Sequence, residues 1–273
     1  MVYGILVAAG SGSRIGFRKQ YAVLAGVEMW ERSARALLAG GVDRLCIVVP
    51  EADRAEMIEK VKTASLHHTC RVVTGGDSRI ASVAQGMEGV LAWIAAEGSA
   101  AVRVGGGGRT VVRFGDVHVQ EGTFPGEAVW VAVHDAARPF VAVADVQAVI
   151  EVAKRDGAAV LGKPCVDTIK RVQNQKIVET VPREMLWNAQ TPQVFRLDWL
   201  VRGLRAAGFG EASRSDRGPV GRTFTDDASL LEAIHLPVTM VAATTVNLKV
   251  TTQDDLPFAT WLAERLWGQE DPS

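Results

Sequence analysis

Strand-length runs of Val, Ile and Ala alternate, through most of this sequence, with segments that carry helical spacing. Such alternation favours a mostly parallel, twisted sheet with helices on both faces, an α/β fold. Strands are expected at 2–8, 45–50, 70–74, 129–134 and 158–163, whose near-continuous apolar content suits burial on both sides. Helices are expected at 28–39, 53–64, 79–95 and 143–155. In the first, Trp30, Ala34, Leu37 and Leu38 form one core-facing stripe. With 273 residues and 48% hydrophobic content, the chain can bury one sizeable core, so a single domain is expected.

Two segments break the pattern. Residues 166–172 and 176–181 alternate around Gln173-Asn174-Gln175 and read as a β-hairpin arm able to grip a neighbour. Residues 98–126 contain a four-glycine run at 105–108 followed by alternation over 110–119, which reads as an inserted flexible loop with a hairpin. No chemistry is visible in that insertion. From Thr251, a Thr-x-x-Asp pattern precedes apolar positions Trp261, Leu262 and Leu266, predicting an N-capped terminal helix.

The formal net charge of −1 gives no global field to recruit nucleic acid or an anionic membrane. Any anion selectivity must be local. Cys46, Cys70 and Cys165 are far apart in apolar runs, which argues against a metal or redox pair and for reduced core thiols. The sequence opens directly into strand pattern, with no cleavable apolar leader and no membrane-length apolar run, so a soluble cytoplasmic protein is expected.

The chemistry concentrates in polar islands. Ile5-Leu6-Val7-Ala8-Ala9-Gly10-Ser11-Gly12-Ser13-Arg14 is a strand running into a glycine-rich turn, and Lys19-Gln20-Tyr21 follows five residues later. Free N–H groups in such a turn, with two cations nearby, make a polyanion site. No glycine is followed by Lys-Ser or Lys-Thr, so no Walker loop exists, and Ile15 stands where a dinucleotide fingerprint needs its third glycine. A second island, His134-Asp135-Ala136-Ala137-Arg138-Pro139, sits at the carboxyl end of a strand, where open α/β sheets collect ligands. A third, Gly75-Gly76-Asp77-Ser78-Arg79 with Ser82, also leads from a strand into a helix. Thr191-Pro192-Gln193, Thr225-Asp226-Asp227-Ala228-Ser229 and Asn247-Leu248-Lys249-Val250-Thr251 complete the set. Thr225 also reads as the N-cap of a helix over 226–234.

The histidines lack the spacing of a zinc site, and His134 has no serine or cysteine elbow beside it. Hydrolase chemistry is therefore unsupported. A phosphate nucleophile, whose second pKa is about 6, needs no general base. Positioning and charge neutralisation would then do most of the catalysis.

The Ala-Ala-Gly-x-Gly-x-Arg turn resembles the signature of sugar-nucleotide pyrophosphorylases and related nucleotidyltransferases. Taken with the other islands and Asp167-Thr168-Ile169-Lys170, the chain resembles the 2-C-methyl-D-erythritol 4-phosphate cytidylyltransferase family from Ile5 to about Trp267, apart from 98–126. The resemblance implies a Rossmann-like fold and transfer of CMP from CTP to the polyol phosphate by in-line attack on the α-phosphorus. By position, it implies that Arg14, Lys19 and Lys249 are catalytic, neutralising the phosphates during attack. CTP would be bound by Ala8, Ala9, Gly10, Gly12, Gly76, Asp77 and Ser82. The polyol phosphate would be surrounded by Asp135, Arg138, Thr191, Thr225 and Lys249, with Thr168 and Arg183 supplied by the arm of a homodimeric partner. Mg²⁺ would be bound mainly by phosphate oxygens, without a protein cage.

The stretch between Arg14 and Lys19 looks shorter than in familiar members, and the insertion at 98–126 is a second departure. The isocyclase sometimes fused to this enzyme would need a second domain, and no length remains for one after Trp267. Two other readings stay open on these residues. A ribitol 5-phosphate cytidylyltransferase shares the fold, the nucleotide and most islands, and a non-catalytic nucleotide-binding module would keep the fold alone.

Overall fold

The fold is given by a computed structural model that describes residues 1–10, 19–97, 102–104, 111–114, 117–120, 128–210 and 224–268. The chain begins with β1 (Val2–Val7), forms a short ladder of β2 (Val23–Leu24) and β3 (Val27–Glu28), and enters α1 (Met29–Ala39). Next come β4 (Arg44–Val49), α2 (Arg54–Thr63), β5 (Cys70–Thr74) and α3 (Arg79–Ala96). Three short strands, β6 (Val102–Val104), β7 (Val111–Phe114) and β8 (Val117–Gln120), precede β9 (Trp130–Asp135), α4 (Val143–Asp156) and β10 (Ala158–Pro164). The rest comprises β11 (Ile169–Gln173), β12 (Lys176–Val181), β13 (Trp187–Arg196), α5 (Leu197–Ala206), α6 (Ala228–Glu232), β14 (Thr239–Ala242) and α7 (Asp255–Trp267).

Seven strands form the central sheet in the order β14-β10-β13-β9-β1-β4-β5. β13 runs antiparallel to both β9 and β10; the other adjacent pairs are parallel. Period-two alternation sorts the side chains of β1 onto two faces. Tyr3 and Ile5 pack with α3, α5 and α6, whereas Val2, Leu6 and Ala8 pack with α1, α2 and α4. The mostly parallel sheet with helices on both faces is therefore present as expected. In α1, Trp30, Ala34 and Leu37 are buried; Leu38 is only partly so, and Ser33 takes its place in the interior with its hydroxyl 3.3 Å from the Ala136 carbonyl.

Several local expectations need correction. The described part of 98–126 is a three-stranded sheet, β6-β8-β7, rather than a lone hairpin, and Phe114 is buried in the main core. Asp226, not Thr225, caps α6: its Oδ1 accepts the Ser229 N–H at 3.1 Å, while Thr225 is exposed. Thr251 does not cap α7 either. Asp255, in the first turn of that helix, accepts the backbone N–H groups of Thr251 and Thr252 at 2.7 and 2.8 Å. Cys46 and Cys70 are buried, but Cys165 is only half-buried, just beyond β10.

β11 and β12 form the expected hairpin, closed by Asn174 and Gln175 at φ of 49° and 61°. Two successive left-handed residues make the tight turn whose twist matches that of the strands. The hairpin exposes Val172, Ile177 and Val178, and the adjoining chain exposes Val166 and Met185. Among the described residues no helix is long and apolar enough to cross a membrane.

Candidate active site

The carboxyl ends of β1, β4, β5 and β9 open into one cleft of about 780 Å³. Its wall contains Ala8, Ala9 and Gly10 from the β1 turn, Gly76, Asp77, Arg79 and Ser82 from the β5–α3 turn, and Asp135 and Lys249 opposite. Residues from four distant stretches thus converge where the topology of an open α/β sheet gathers ligands. Gly75 allows the first two turns to close up. A Cβ there would lie 2.6 Å from Ala9 Cβ and 2.9 Å from Ser82 Oγ.

Not every backbone amide of these turns is free for a ligand. The Ala8 N–H is spent on the Val48 carbonyl at 2.8 Å, and the Gly76 N–H is directed at Ser82 Oγ at 3.2 Å. Gln20, in the 3₁₀ turn Lys19–Tyr21, lines the same cleft with a buried Nε2 that has no partner among the described residues.

Asp135 is the electrostatic centre. Its Oδ2 lies 2.6 Å from Lys249 Nζ and its Oδ1 lies 3.0 Å from Arg79 Nε. Burial pushes the Asp135 carboxyl up, but the Arg79 and Lys249 charges outweigh it and hold the group well below the usual carboxylate range. Arg79 also clasps the fully buried Asp227 through two bonds, at 3.1 and 2.8 Å. Burial disfavours the Arg79 charge, and the paired carboxylates of Asp227 and Asp135 more than restore it. A buried pair of this kind is strongly destabilising to break, because either partner alone is an uncompensated charge.

Arg138 lies three residues beyond Asp135. One of its guanidinium nitrogens donates to the Asn247 carbonyl at 2.9 Å, and its buried Nε–H has no partner among the described residues. Thr191 is almost fully buried, and its hydroxyl accepts the Asp135 N–H at 3.1 Å. Gln193 bridges Asp226 and the Ala228 N–H, both at 2.9 Å, and so ties β13 to α6. Thr168, Arg183 and Thr225 are exposed and do not line the cleft, and within the chain Arg183 donates to the Val166 carbonyl. Gly12 and Arg14 lie outside the described residues, and of Lys19 only the backbone is described. Among the described residues there is no group of three or more His, Cys, Asp or Glu side chains able to hold a metal ion.

Sequence reading places Arg79 in a strand-to-helix turn and Asp227 in a polar island and assigns neither a role. The signal was present in the Gly-Gly-Asp-Ser-Arg and Thr-Asp-Asp-Ala-Ser islands, but 148 residues separate the two partners.

Comparison with known proteins follows the same outline. A family model described as 2-C-methyl-D-erythritol 4-phosphate cytidylyltransferase (IspD) matches residues 2–121 and 97–265. The chain is 37% identical over 268 residues to a bifunctional enzyme IspD/IspF of Anaeromyxobacter dehalogenans, covering 96% of this chain and 57% of that protein. It therefore spans little more than half the length of that relative. With the 2-C-methyl-D-erythritol 4-phosphate cytidylyltransferase of Halalkalibacterium halodurans it shares 32% identity over 266 residues, 95% of this chain and 96% of the relative. Among solved structures, the enzyme of that name from Thermus thermophilus superposes with a TM-score of 0.65 at 26% identity, covering 95% of this chain and 98% of the other.

Proposed function

Because this chain belongs to the 2-C-methyl-D-erythritol 4-phosphate cytidylyltransferase family, we propose that it transfers the cytidylyl group of CTP to 2-C-methyl-D-erythritol 4-phosphate and releases pyrophosphate. The observation that carries this reading is the convergence of two nucleotide-type turns with Asp135 and Lys249 on one cleft.

In the proposed reaction, a phosphate oxygen of the polyol attacks the α-phosphorus of CTP. A new P–O bond forms, the bond from the α-phosphorus to the β-bridging oxygen breaks, and pyrophosphate leaves with that electron pair. The attacking phosphate is already largely ionised near neutral pH, so no proton need be removed. Arg14 and Lys19 neutralise the triphosphate, and Lys249 meets the charge that accumulates around the phosphorus. Ala8, Ala9, Gly10, Gly12, Gly76, Asp77 and Ser82 bind the nucleotide. Asp135 orients Lys249, as its 2.6 Å ion pair supports. The Nε–H of Arg138, which has no partner among the described residues, supports a place for it on the polyol phosphate.

On the acceptor side Thr191 acts through its bond to the Asp135 amide, and Thr225, exposed outside the cleft, is assigned there by the family resemblance alone. Thr168 and Arg183 serve the facing site of a homodimer, gripped through the apolar residues of the arm. The enzyme acts in the cytoplasm. Mg²⁺, entering on the phosphates of CTP, would supply further neutralisation of their charge. Incubation with CTP, Mg²⁺ and the polyol phosphate, followed by ³¹P NMR, tests the proposal. A new diphosphate diester together with pyrophosphate is expected; CTP hydrolysis without the diester would contradict it.

A further inference from the structure

His134 is fully buried, does not line the cleft, and has no role in the reaction as described. Its ring nevertheless touches both parts of the acceptor site. Nε2 is 3.2 Å from the carbonyl oxygen of Arg138, an atom that can only accept, so Nε2 carries the proton. Nδ1 is 3.0 Å from Thr191 Oγ1 and is therefore the acceptor of that hydroxyl's proton. Thr191 Oγ1 in turn accepts the Asp135 N–H at 3.1 Å.

One unbroken chain of hydrogen bonds thus runs from the Asp135 amide through Thr191 and His134 to the Arg138 carbonyl. The Arg138 N–H closes the loop on the Asp135 carbonyl at 3.0 Å. Asn247 braces the same assembly, with Nδ2 2.9 Å from the Thr191 carbonyl and its own carbonyl bonded to the Arg138 guanidinium. The imidazole is the cross-strut of a turn that carries Asp135 at one end and Arg138 at the other.

We propose that His134 is a positioning residue: a neutral imidazole, protonated on Nε2, that fixes Asp135 relative to Arg138 and so aims the acceptor phosphate at the nucleotide. The inference rests on the functional reading above and assigns His134 no contact with either substrate. Burial keeps the ring neutral, pushing its pKa down to about 4, with Asp135 acting to raise it and Arg138 to lower it. A doubly protonated ring would have two donors and could no longer accept from Thr191.

The test combines His134→Gln, His134→Asn and His134→Leu. Each amide can replace one end of the strut, and leucine replaces neither. The two amide variants should lose about tenfold in kcat/KM for the polyol phosphate, leucine more, while KM for CTP stays within about twofold. Equal loss toward both substrates, or an unchanged polyol kcat/KM in folded His134→Leu, would overturn the proposal. A second readout needs no variant. ¹⁵N–¹H NMR of the wild-type ring should show a neutral imidazole with its proton on Nε2, and a proton on Nδ1 would overturn the inference. Failure of the wild-type protein to turn over the polyol phosphate would remove the functional reading and with it the aiming role, whereas a proton on Nδ1 would remove the hydrogen-bond strut whatever the substrate.

Discussion

Lys249 Nζ lies 2.6 Å from Asp135 Oδ2, so the cation assigned to the developing charge is held at the cleft by the carboxylate that ends β9. Removing it should affect the transition state more than the bound ground state. Lys249→Ala is expected to raise the barrier by about 3 kcal/mol, seen as a fall in kcat, with a much smaller change in KM for CTP. Steady-state kinetics with both substrates check this, and an unchanged kcat would take Lys249 out of the catalytic set.

Arg79 holds the fully buried Asp227 and the nearly buried Asp135 at once. Arg79→Met should therefore destabilise the fold by about 3–5 kcal/mol, because the buried Asp227 loses its ion-pair partner and Asp135 keeps only Lys249. Urea unfolding measures the loss. Adding Asp227→Asn to the same chain should recover part of it, since the stranded charge is then gone.

Acid should weaken the fold in two stages. His134 has its pKa pushed down from 6.5 to about 4, so the unfolded chain binds the extra proton more readily. Its contribution is full above 6.5 and lost as pH falls toward 4, on the order of 3 kcal/mol. Asp135, held below its ordinary value of 3.8, contributes above that value and loses its share as pH falls further. Unfolding free energies across this range should fall less steeply between pH 6.5 and 4 for His134→Gln than for wild type. Parallel curves would contradict the assignment.

The islands were legible because each follows a strand with a turn rich in glycine or polar residues, and strand ends of a parallel sheet share one edge. The five strands and four helices expected from apolar spacing are all present, within one or two residues at their ends. β13 was not foreseen. Its Trp187–Arg196 segment carries Asn188, Gln190, Thr191, Pro192 and Gln193, and its first residues are exposed, so it reads as a polar island. β13 nevertheless pairs Gln193 with Val133 of β9, which brings Thr191 beside Asp135. Arg79 and Asp227 each stand in a visible polar island, but nothing local pairs them, because sequence spacing carries no information about partners joined only by the tertiary fold. The mistaken caps have a simpler cause. Thr225 and Asp226 both suit an N-cap, and the choice between them depends on where the chain enters α6.

Sharing of sites between protomers can be tested by complementation. Arg183→Ala and Lys249→Ala chains, each weakly active alone, should regain about a quarter of wild-type activity when refolded together in equal amounts, since half the dimers are mixed and each has one intact site. No recovery despite confirmed heterodimers would place Arg183 outside the partner's site. For the proposed homodimer, Ile177→Lys, on the exposed face of the arm, should shift the protein toward monomer in sedimentation velocity, and a wild-type protein that sediments as a monomer would contradict the proposal.

Cytidylyl transfer itself is tested by pyrophosphate release, measured with Mg²⁺ and CTP against 2-C-methyl-D-erythritol 4-phosphate and ribitol 5-phosphate in parallel, with ATP, GTP and UTP as controls. Turnover is expected with CTP and the methylerythritol phosphate, and at least tenfold lower kcat/KM for every other combination. Preference for ribitol 5-phosphate, or normal CTP binding with no pyrophosphate from either acceptor, would show that the cleft does not carry out this reaction.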